Sequence, residues 1–446
     1  MKIAFIAMSG IRACDTELLE LGLTLPGFVE RSKQIASLPS LGLLTLAGMT
    51  PKHHDIHYIE IPDLTAESTE VDHFDLVALS SYSAQIDEAY ELAMRFRARG
   101  VPVVIGGPHV TARPHEARKY CTSVILGEGE PVWLQVLEDA QQGRLKLIYD
   151  ARKLDFELAD APMPAFELLK IENYNRLTVQ TSRGCPHNCE FCAGSNLICN
   201  RYKQKPAEKV LAEIDRICEI WPHPFIEFAD DNSFVDKAYW KALLPELAKR
   251  KIKWFTETDL SVADDPELLR RMRAAGCAQI LIGFESPTRD PLDRLELNRN
   301  WKLRRFAQYK TAIKTIQSHG ITVNGCFIIG LDGQTADVFD DIVAFVRETE
   351  LYEVQITILT PFPGTPLYDR LKKANRLIEP ANWEKCTLFD LNFRPIGMTE
   401  AELRQGFHRL AVKLYSEAAT QGRRNAFKQN FRKNVAVEKG NGYVLN

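Results

Sequence analysis

Short apolar runs alternate with amphipathic stretches along most of the chain. Runs typical of strands lie at residues 2–7, 55–61, 76–80, 101–106 and 123–126, and helical patterns lie at 38–49, 85–99 and 130–140. Continuous apolar runs such as VPVVIGG are typical of a parallel sheet that is buried on both faces. Residues 1–145 are therefore predicted to form an α/β, doubly wound (Rossmann-like) sheet, which binds ligands at the carboxyl ends of its strands.

The alternation restarts after a stretch with little periodicity. Residues 146–170 contain Pro162 and Pro164, and we interpret them as a linker. Strands are then predicted at 177–182, 224–229, 253–258, 278–283, 322–329 and 353–359, and helices at 207–221, 237–250, 266–275, 302–319 and 335–348. Six βα units predict a partial (β/α)6 barrel of TIM type over residues 171–368, with its chemistry at the carboxyl ends of the strands. Residues 369–446 predict a mostly helical C-terminal extension.

Composition excludes several classes of protein. A chain of 446 residues is too long for one ordinary core, and its net charge of -3 offers no general attraction to nucleic acid. No apolar run reaches the ~18 residues of a membrane span, and the opening MKIAFIAMSG is typical of a strand rather than a secretory signal. We expect a cytoplasmic monomer that acts on a small molecule.

Three of the ten cysteines are clustered, with the spacing C-x3-C-x2-C: Cys185, Cys189 and Cys192. Three thiolates can hold three corners of a cubane iron–sulfur cluster and leave the fourth iron open. A structural zinc ion would need a fourth ligand, for which His187 is the nearby candidate. A histidine inside such a gap more often packs or faces solvent. The other seven cysteines are scattered, and we interpret most of them as small buried residues.

With Phe191 before its last cysteine, this loop resembles the signature loop of the radical S-adenosylmethionine (SAM) superfamily. The resemblance implies a 4Fe–4S cluster that binds SAM and cleaves it to a 5′-deoxyadenosyl radical, which abstracts hydrogen from an unactivated carbon. Motifs at successive strand ends agree with the family in order. They imply a SAM site that comprises Phe191, Glu227, Asp230, Asp231, Asn232, Thr258, Glu285, Ser286 and Gly330. Where a proton must leave, Glu285 and Asp230 are the candidate catalytic residues.

The first domain resembles the cobalamin-binding domains that precede many radical SAM cores. The resemblance implies a cobalamin site that comprises Ser40, Leu41, Ser80, Ser81, Tyr82, Gly106, Gly107, His109, Val110, Thr111, Gly127, Glu128, Gly129 and Glu130. The D-x-H-x-x-G motif that ligates cobalt elsewhere is absent, since the nearest string, around His57, ends in Glu60. Radical SAM relatives generally lack that histidine too. A remnant domain without cofactor is the alternative.

Together these resemblances imply an enzyme that methylates an unactivated carbon with SAM and methylcobalamin. Oxidation, cyclisation or rearrangement with the same cofactors is the second interpretation, and a non-catalytic iron–sulfur redox sensor is the third. A zinc-binding nucleic-acid module is opposed by the acidic balance and the missing fourth ligand.

The C-terminal extension adds two weaker expectations. Its aromatic residues, among them Trp383, Phe389 and Phe393, favour an apolar substrate if they line a pocket, although core packing is the commoner role. The basic segment 423–433 is a candidate docking site for an acidic substrate, a membrane surface or an electron donor such as flavodoxin or ferredoxin, and a solvated helix face is its simpler interpretation.

Overall fold

The computed structural model describes residues 1–20, 38–65, 73–199 and 201–440. Its first layer is a six-stranded parallel sheet in the order β2-β1-β3-β4-β5-β6. The strands are β1 (Lys2–Met8), β2 (Asp55–Ile61), β3 (Leu76–Ser80), β4 (Val103–Gly106), β5 (Ser123–Leu126) and β6 (Ile148–Asp150). Ile3 of β1 pairs with Ile56 on one side and with Leu76 on the other. The chain order reverses between β1 and β3, so the predicted doubly wound sheet is confirmed.

Six helices pack on this sheet or connect its strands. They are α1 (Thr16–Glu20), α2 (Leu41–Met49), α3 (Ile86–Ala98), α4 (Pro108–Ala112), α5 (Pro114–Ala117) and α6 (Glu130–Gln141). The side chain of Ser40 caps α2, accepting from the backbone N–H of Leu43. Trp133 of α6 is fully buried, and its indole nitrogen donates to Thr50 at 2.9 Å. The Ser40 cap fixes the start of α2, which borders the carboxyl edge of the sheet, and the Trp133 contact joins α6 to the end of α2.

One strand of the first sheet was not predicted. β6 lies inside residues 146–170, which we interpreted as a linker, and it pairs with β5 through Leu126 and Asp150. A three-residue strand carries no readable alternation, and only its pairing partner identifies it.

The second layer is a six-stranded parallel sheet in the order β14-β13-β12-β11-β10-β7. Its strands and those of a separate two-stranded ribbon are β7 (Leu177–Val179), β8 (Ser182–Arg183), β9 (Lys203–Gln204), β10 (Phe225–Phe228), β11 (Lys253–Thr258), β12 (Cys277–Glu285), β13 (Thr322–Ile329) and β14 (Glu353–Ile358). β8 and β9 form the antiparallel ribbon. In the described chain β7 and β14 remain the two edges, so the barrel is partial, as predicted.

Helices cover the outer face of this barrel. They are α7 (Ala193–Leu197), α8 (Ala207–Ile220), α9 (Lys237–Arg250), α10 (Pro266–Ala274), α11 (Trp301–Arg305), α12 (Tyr309–Ser318) and α13 (Val338–Thr349). In α8, Val210, Ile214 and Ile217 recur every three or four residues and are fully buried. Each such side chain contributes about 1.5–3 kcal/mol on burial.

Two predicted elements of the barrel are divided. The run 177–182 splits into β7 and the ribbon strand β8, and the helix expected over 302–319 breaks into α11 and α12 at a 3-10 turn, Phe306–Gln308. The break leaves α11 free to direct Lys302 toward the end of β12, where its ammonium donates to Gly283 O and Glu285 Oε1, both at 2.7 Å. A single helical period does not reveal such a tertiary contact.

The C-terminal extension contains α14 (Pro366–Lys373), α15 (Glu400–Tyr415) and α16 (Glu417–Gly440). Residues 441–446 lie outside the described residues. Trp383, Phe389 and Phe393 are buried in the core, so these aromatic rings do not themselves form a substrate pocket. The Asp390 carboxylate accepts from the backbone N–H of Cys14 and Asp15, both at 2.9 Å. The extension therefore joins the first domain to the barrel. In the parts of the chain that are described, no helix combines the length and apolarity needed to cross a membrane.

Candidate functional site

The carboxyl edges of the two sheets face one shared cavity of about 580 Å³. The first domain lines it with eleven residues predicted for cobalamin: Ser40, Leu41, Ser80, Ser81, Tyr82, Gly106, Gly107, Gly127, Glu128, Gly129 and Glu130. The barrel lines it with Glu227, Asp230, Asp231 and Glu257, among others. The structure thus places most of the predicted cobalamin site opposite part of the predicted SAM site, across one cavity.

Glycines keep the first domain's side of the cavity open. A Cβ on Gly106 would meet only Ile125, at 3.7 Å, and Gly107 has φ +114°, which side chains rarely adopt. Tyr82 is 62% exposed although it lies well inside the molecule, because its ring faces the cavity. A sheet edge with glycines where larger side chains would stand suits a bulky ring, so the residues present fit cobalamin. Among the described residues that line the cavity, none is a histidine, so no imidazole is placed to ligate cobalt there.

Three residues predicted for cobalamin, His109, Val110 and Thr111, lie on α4 and do not line the cavity. The His109 ring is 3.0 Å from Ser83 Oγ, 3.3 Å from Glu116 Oε1 and edge-on to Trp383. Thr111 Oγ1 accepts from the backbone N–H of Gly127 at 3.0 Å. These three residues therefore pack behind the loop that contains Gly127 and do not reach into the cavity.

The β8–β9 ribbon closes the base of the cysteine loop. Gly184 has φ +85°, and a Cβ there would lie 2.5 Å from Arg201 O, so only glycine fits. Its N–H donates to Asp231 Oδ2 at 2.8 Å. Asn196 Nδ2 donates to the carbonyls of Cys189 and Cys192, at 3.0 and 2.6 Å. The backbone of the cysteine loop is therefore held in place by hydrogen bonds to the side chains of Asp231 and Asn196.

The three cysteines of this loop interact electrostatically. Burial, together with the negative charge of the neighbouring thiolates, raises the pKa of Cys185 to about 11 and that of Cys189 to about 12. Iron must therefore displace protons when it binds. Within the described residues, no three His, Cys, Asp or Glu side chains converge as the ligands of a single ion. A cubane cluster distributes its thiolates over separate irons.

His187 is not held as a fourth ligand. Its Nε2 lies 3.0 Å from Asp259 Oδ2, and its ring centroid lies 4.6 Å from that of Trp301. Asn232 Nδ2 donates to the same Asp259 oxygen at 2.9 Å and lies 4.0 Å from Cys185 Sγ. The ring packs against the barrel, as the simpler interpretation expected.

Asp230 is enclosed by donors. Its carboxylate accepts from Thr181 N (2.7 Å), Thr181 Oγ1 (2.5 Å), Ser182 N (2.9 Å) and Ser233 Oγ (2.8 Å). With its acceptor sites used, the side chain holds the start of the cysteine loop. The geometry therefore favours a positioning role over the catalytic role that we considered for Asp230.

Four further residues predicted for SAM fall into two groups. Thr258 and Asn232 support the cysteine loop, with Thr258 Oγ1 donating to Asn232 Oδ1 at 3.3 Å. Glu227, which lines the cavity, forms an ion pair with Arg176, and Glu285 pairs with Lys302 at the end of β12. Glu285 has φ +65°, a strained conformation for a side chain that bears a Cβ.

Three predicted residues sit against the core. Phe191 is partly buried and packs on the hydrophobic cluster. Ser286 is fully buried, with Oγ 3.2 Å from Thr288 Oγ1. A Cβ on Gly330 would lie 2.6 Å from Phe393. Gly330 is thus required for close packing of the extension on the barrel.

Sequence reasoning missed Glu257 of β11. Its carboxyl faces the cavity, and its position inside the barrel raises its pKa to about 8, with the charges of Glu227, Asp231 and Glu285 adding to the effect. The available signal was an acidic residue between two threonines near the carboxyl end of the predicted strand KWFTET. A titratable group with a perturbed pKa in a cavity is typical of a functional site.

We expect Glu257→Gln to stabilise the apo protein increasingly as pH rises from about 5 to 8. The unfolded chain loses this proton near pH 4.3, whereas the folded chain keeps it to about pH 8. Raising pH through this window therefore favours unfolding of the wild type, and glutamine removes the effect. Urea unfolding at several pH values measures the difference. As control, Glu219→Gln makes the same exchange at an exposed position on the outer surface, away from the cavity. A constant difference for Glu257→Gln would contradict this assignment.

An ion-pair network that the sequence did not reveal joins the two domains. Arg183 of the ribbon donates to Glu128 Oε1 at 2.6 Å and to Glu130 Oε1 at 2.8 Å. Lys203 donates to Glu128 Oε2 at 2.6 Å and to Phe156 O at 2.8 Å. The four charged side chains are at most 16% exposed. Ion pairs therefore connect the loop after β5, which carries Glu128 and Glu130, to the ribbon at the base of the cysteine loop.

Comparisons with known proteins agree with this arrangement. A model of the radical SAM superfamily matches residues 179–346, one of the B12 binding domain matches 36–137, and a domain of unknown function (DUF4070) matches 365–442. An uncharacterized methyltransferase of Synechocystis sp. is 30% identical over 367 residues, which cover 80% of this chain and 67% of that protein. The chain belongs to the cobalamin-binding radical SAM enzymes. Its cofactors are those of the family: a 4Fe–4S cluster, SAM and cobalamin.

Two further similarities extend over most of this radical SAM enzyme. The bacteriochlorophyllide d C-12(1)-methyltransferase of Chlorobaculum tepidum is 28% identical over 87% of this chain and 84% of its own length. An anaerobic magnesium-protoporphyrin IX monomethyl ester cyclase of Cereibacter sphaeroides is 23% identical over 85% of this chain and 66% of its own.

A solved structure shows the same fold. The radical SAM methyltransferase TsrM of Kitasatospora setae, with tryptophan and a SAM analogue bound, superposes with a TM-score of 0.69 at 15% identity, covering 94% of this chain and 90% of that one. At this identity the likeness concerns the fold alone.

Proposed function

We propose that this enzyme transfers a methyl group from SAM, by way of cobalamin, to an unactivated carbon of a small molecule. The observation that carries the proposal is the single cavity between the two carboxyl edges, since it lets two cofactors face one substrate. Relatives named as C-methyltransferases support the same conclusion. When bound, the cluster with SAM supplies a hydrogen-abstracting radical, and cobalamin supplies the methyl group.

The chain's own residues position these groups. We assign Cys185, Cys189 and Cys192 to the cluster, because they lie on one rigid loop at the carboxyl end of β7. That loop is held by three consecutive side chains after β10. Asp230 hydrogen-bonds to Thr181, Asp231 to Gly184 and Asn232 to Asp259. The glycines at the edge of the first sheet, with Ser80 and Tyr82, receive cobalamin.

Two carboxylates of the barrel are assigned to SAM. Glu227 and Glu285 are each paired with one cation, Arg176 and Lys302, and keep acceptor capacity for the ammonium and hydroxyls of SAM. Glu257 lies between them and has no hydrogen-bond partner among the described residues. It is the cavity carboxyl best placed to exchange a proton with a bound molecule.

The test is an anaerobic incubation of cluster-reconstituted protein with SAM, dithionite and cobalamin, followed by mass spectrometry. We expect both 5′-deoxyadenosine and S-adenosylhomocysteine, because methyl transfer from SAM leaves the second product. Omitting cobalamin should remove S-adenosylhomocysteine and leave 5′-deoxyadenosine. Detection of neither product would overturn the proposal.

Cyclisation or oxidation without methyl transfer is the second candidate, which the similarity to the cyclase favours. It uses the same cavity and predicts 5′-deoxyadenosine without S-adenosylhomocysteine. The same assay therefore separates the two functions.

A further inference from the structure

A loop after β12 covers the outer side of the cysteine loop. This cover loop, residues 293–300, begins just after a 3-10 turn and ends at α11. Glu190 N donates to Leu295 O at 3.0 Å, and Leu297 N donates to Asn188 O at 2.8 Å. These bonds form an antiparallel bridge between Cys189 and Glu296. The cover loop is thus a surface segment that pairs directly with Cys189, one of the cysteines assigned to the cluster.

The cover loop is rigid because of Glu296. Its carboxylate is 2% exposed and accepts from the backbone N–H groups of Asn188 (3.1 Å), Asn298 (3.0 Å), Arg299 (2.8 Å) and Trp301 (3.3 Å). Of the cover-loop residues that line the groove described below, Glu296 is the only one with a carboxylate. This carboxylate is turned inward, and both of its oxygens accept hydrogen bonds. Its partners are backbone N–H groups and not the guanidinium groups of the outer face, and the other carboxylate of the cover loop, Asp293, accepts from Asn300 Nδ2 at 2.6 Å.

The outer face carries three exposed arginines, Arg294, Arg299 and Arg304, which line an open groove of about 920 Å³. Within the described chain none of these three guanidinium groups forms an ion pair, whereas other surface arginines do, such as Arg95 with Glu91 and Arg152 with Asp150. Leu297, 46% exposed, lies among them. Unpaired cations around an exposed apolar side chain are typical of a protein interface rather than of an inert surface.

We propose that this groove docks an acidic electron-carrier protein, one that holds a flavin or an iron–sulfur cluster. The inference rests on the proposed function, because radical formation consumes one electron in each SAM cleavage. The carrier is oxidised by one electron and the 4Fe–4S cluster is reduced by one, with no bond made or broken in that step. Electron transfer slows steeply with distance, which favours the surface bridged to Cys189. The unpaired arginines supply the complementary charge and speed encounter.

The basic segment of α16 is a weaker candidate for the same partner. Arg423 is 9% exposed and donates to Leu414 O at 2.7 Å, and both Arg423 and Arg424 lie within 4 Å of Glu353, at 3.5 and 3.9 Å. These arginines stabilise the packing of α16 on β14. Their charge is therefore directed inward.

The test compares an R294E/R299E/R304E variant with a K314E/K372E/K373E control, whose lysines are exposed on other helices. Formation of 5′-deoxyadenosine is measured against the concentration of reduced flavodoxin and, separately, with dithionite. We expect the flavodoxin concentration for half-maximal rate to rise about tenfold or more in the arginine variant, with dithionite-driven cleavage within about twofold of wild type. The control should match wild type in both assays.

Each other outcome has a defined meaning. An unchanged flavodoxin response in the arginine variant would overturn the docking site, and so would an equal loss in the dithionite assay, since the arginines would then act on the fold or the cluster. Rising ionic strength should weaken the wild-type response more than that of the variant. Wild-type protein that cleaves no SAM with dithionite would instead refute the proposed function.

Discussion

Replacing Cys185, Cys189 or Cys192 with alanine is expected to abolish SAM cleavage, by about 1,000-fold or more, and to remove the brown absorption of the reconstituted cluster. Each thiolate is assigned to one iron, and a cubane that lacks a protein ligand at a second corner is neither retained nor correctly placed for SAM. Absorption spectra of the reconstituted variants and the yield of 5′-deoxyadenosine measure the two effects.

The chain offers a matched control within the same loop. Cys199 is buried between β8 and β9, with Sγ 2.9 Å from Arg201 O, and it is not assigned to the cluster. Cys199→Ala should therefore keep both the absorption and the cleavage activity, apart from a modest loss of stability. Undiminished SAM cleavage in any of the three cluster variants would rule out the assigned ligands.

Gly106→Trp is expected to eliminate cobalamin retention and S-adenosylhomocysteine formation while 5′-deoxyadenosine is still produced. Gly106 ends β4 at the wall of the cavity, and its φ lies outside the left-handed range, so a side chain is sterically allowed there. An indole would occupy the space assigned to the cofactor. Cobalamin released from purified protein, expressed as equivalents per chain, measures the first effect.

Gly106→Ala is the matched control, since a Cβ meets only Ile125 at 3.7 Å. It should retain cobalamin at close to the wild-type level. Full retention in the tryptophan variant would show that the cofactor binds elsewhere. Loss of 5′-deoxyadenosine as well would indicate damage to the barrel rather than a filled site.

Local pattern predicted the fold well because both sheets are parallel and buried. Runs such as residues 2–7 are apolar after the first residue and long enough to be unambiguous, and the structure has β1 there. The cysteine spacing is likewise a local feature. A three-residue strand such as β6 falls below what any period can resolve, and a helix break such as the one at Phe306 depends on a partner elsewhere in the chain.

Side-chain roles were harder to predict than positions. The sequence places Asp230 at a strand end, but its saturation by Thr181 and Ser182 comes from contacts across 49 and 48 residues. His109 follows a glycine pair as a cofactor residue would, yet its ring turns toward Glu116 and Trp383. Glu257 becomes noticeable only when the barrel closes around it. Such roles follow from long-range packing, which the order of motifs does not contain.

The ion pairs between Arg183, Lys203, Glu128 and Glu130 set a condition on any exchange of parts between relatives. Within the described chain, a transplanted first domain without both glutamates would leave Arg183 with only the Gln180 side chain, and Lys203 with only the Phe156 carbonyl and Asp155 at 3.7 Å. Breaking one buried ion pair in this way costs about 3–5 kcal/mol. That is a large fraction of the stability of an ordinary domain. A working chimera must therefore carry the acidic pair and the basic pair together.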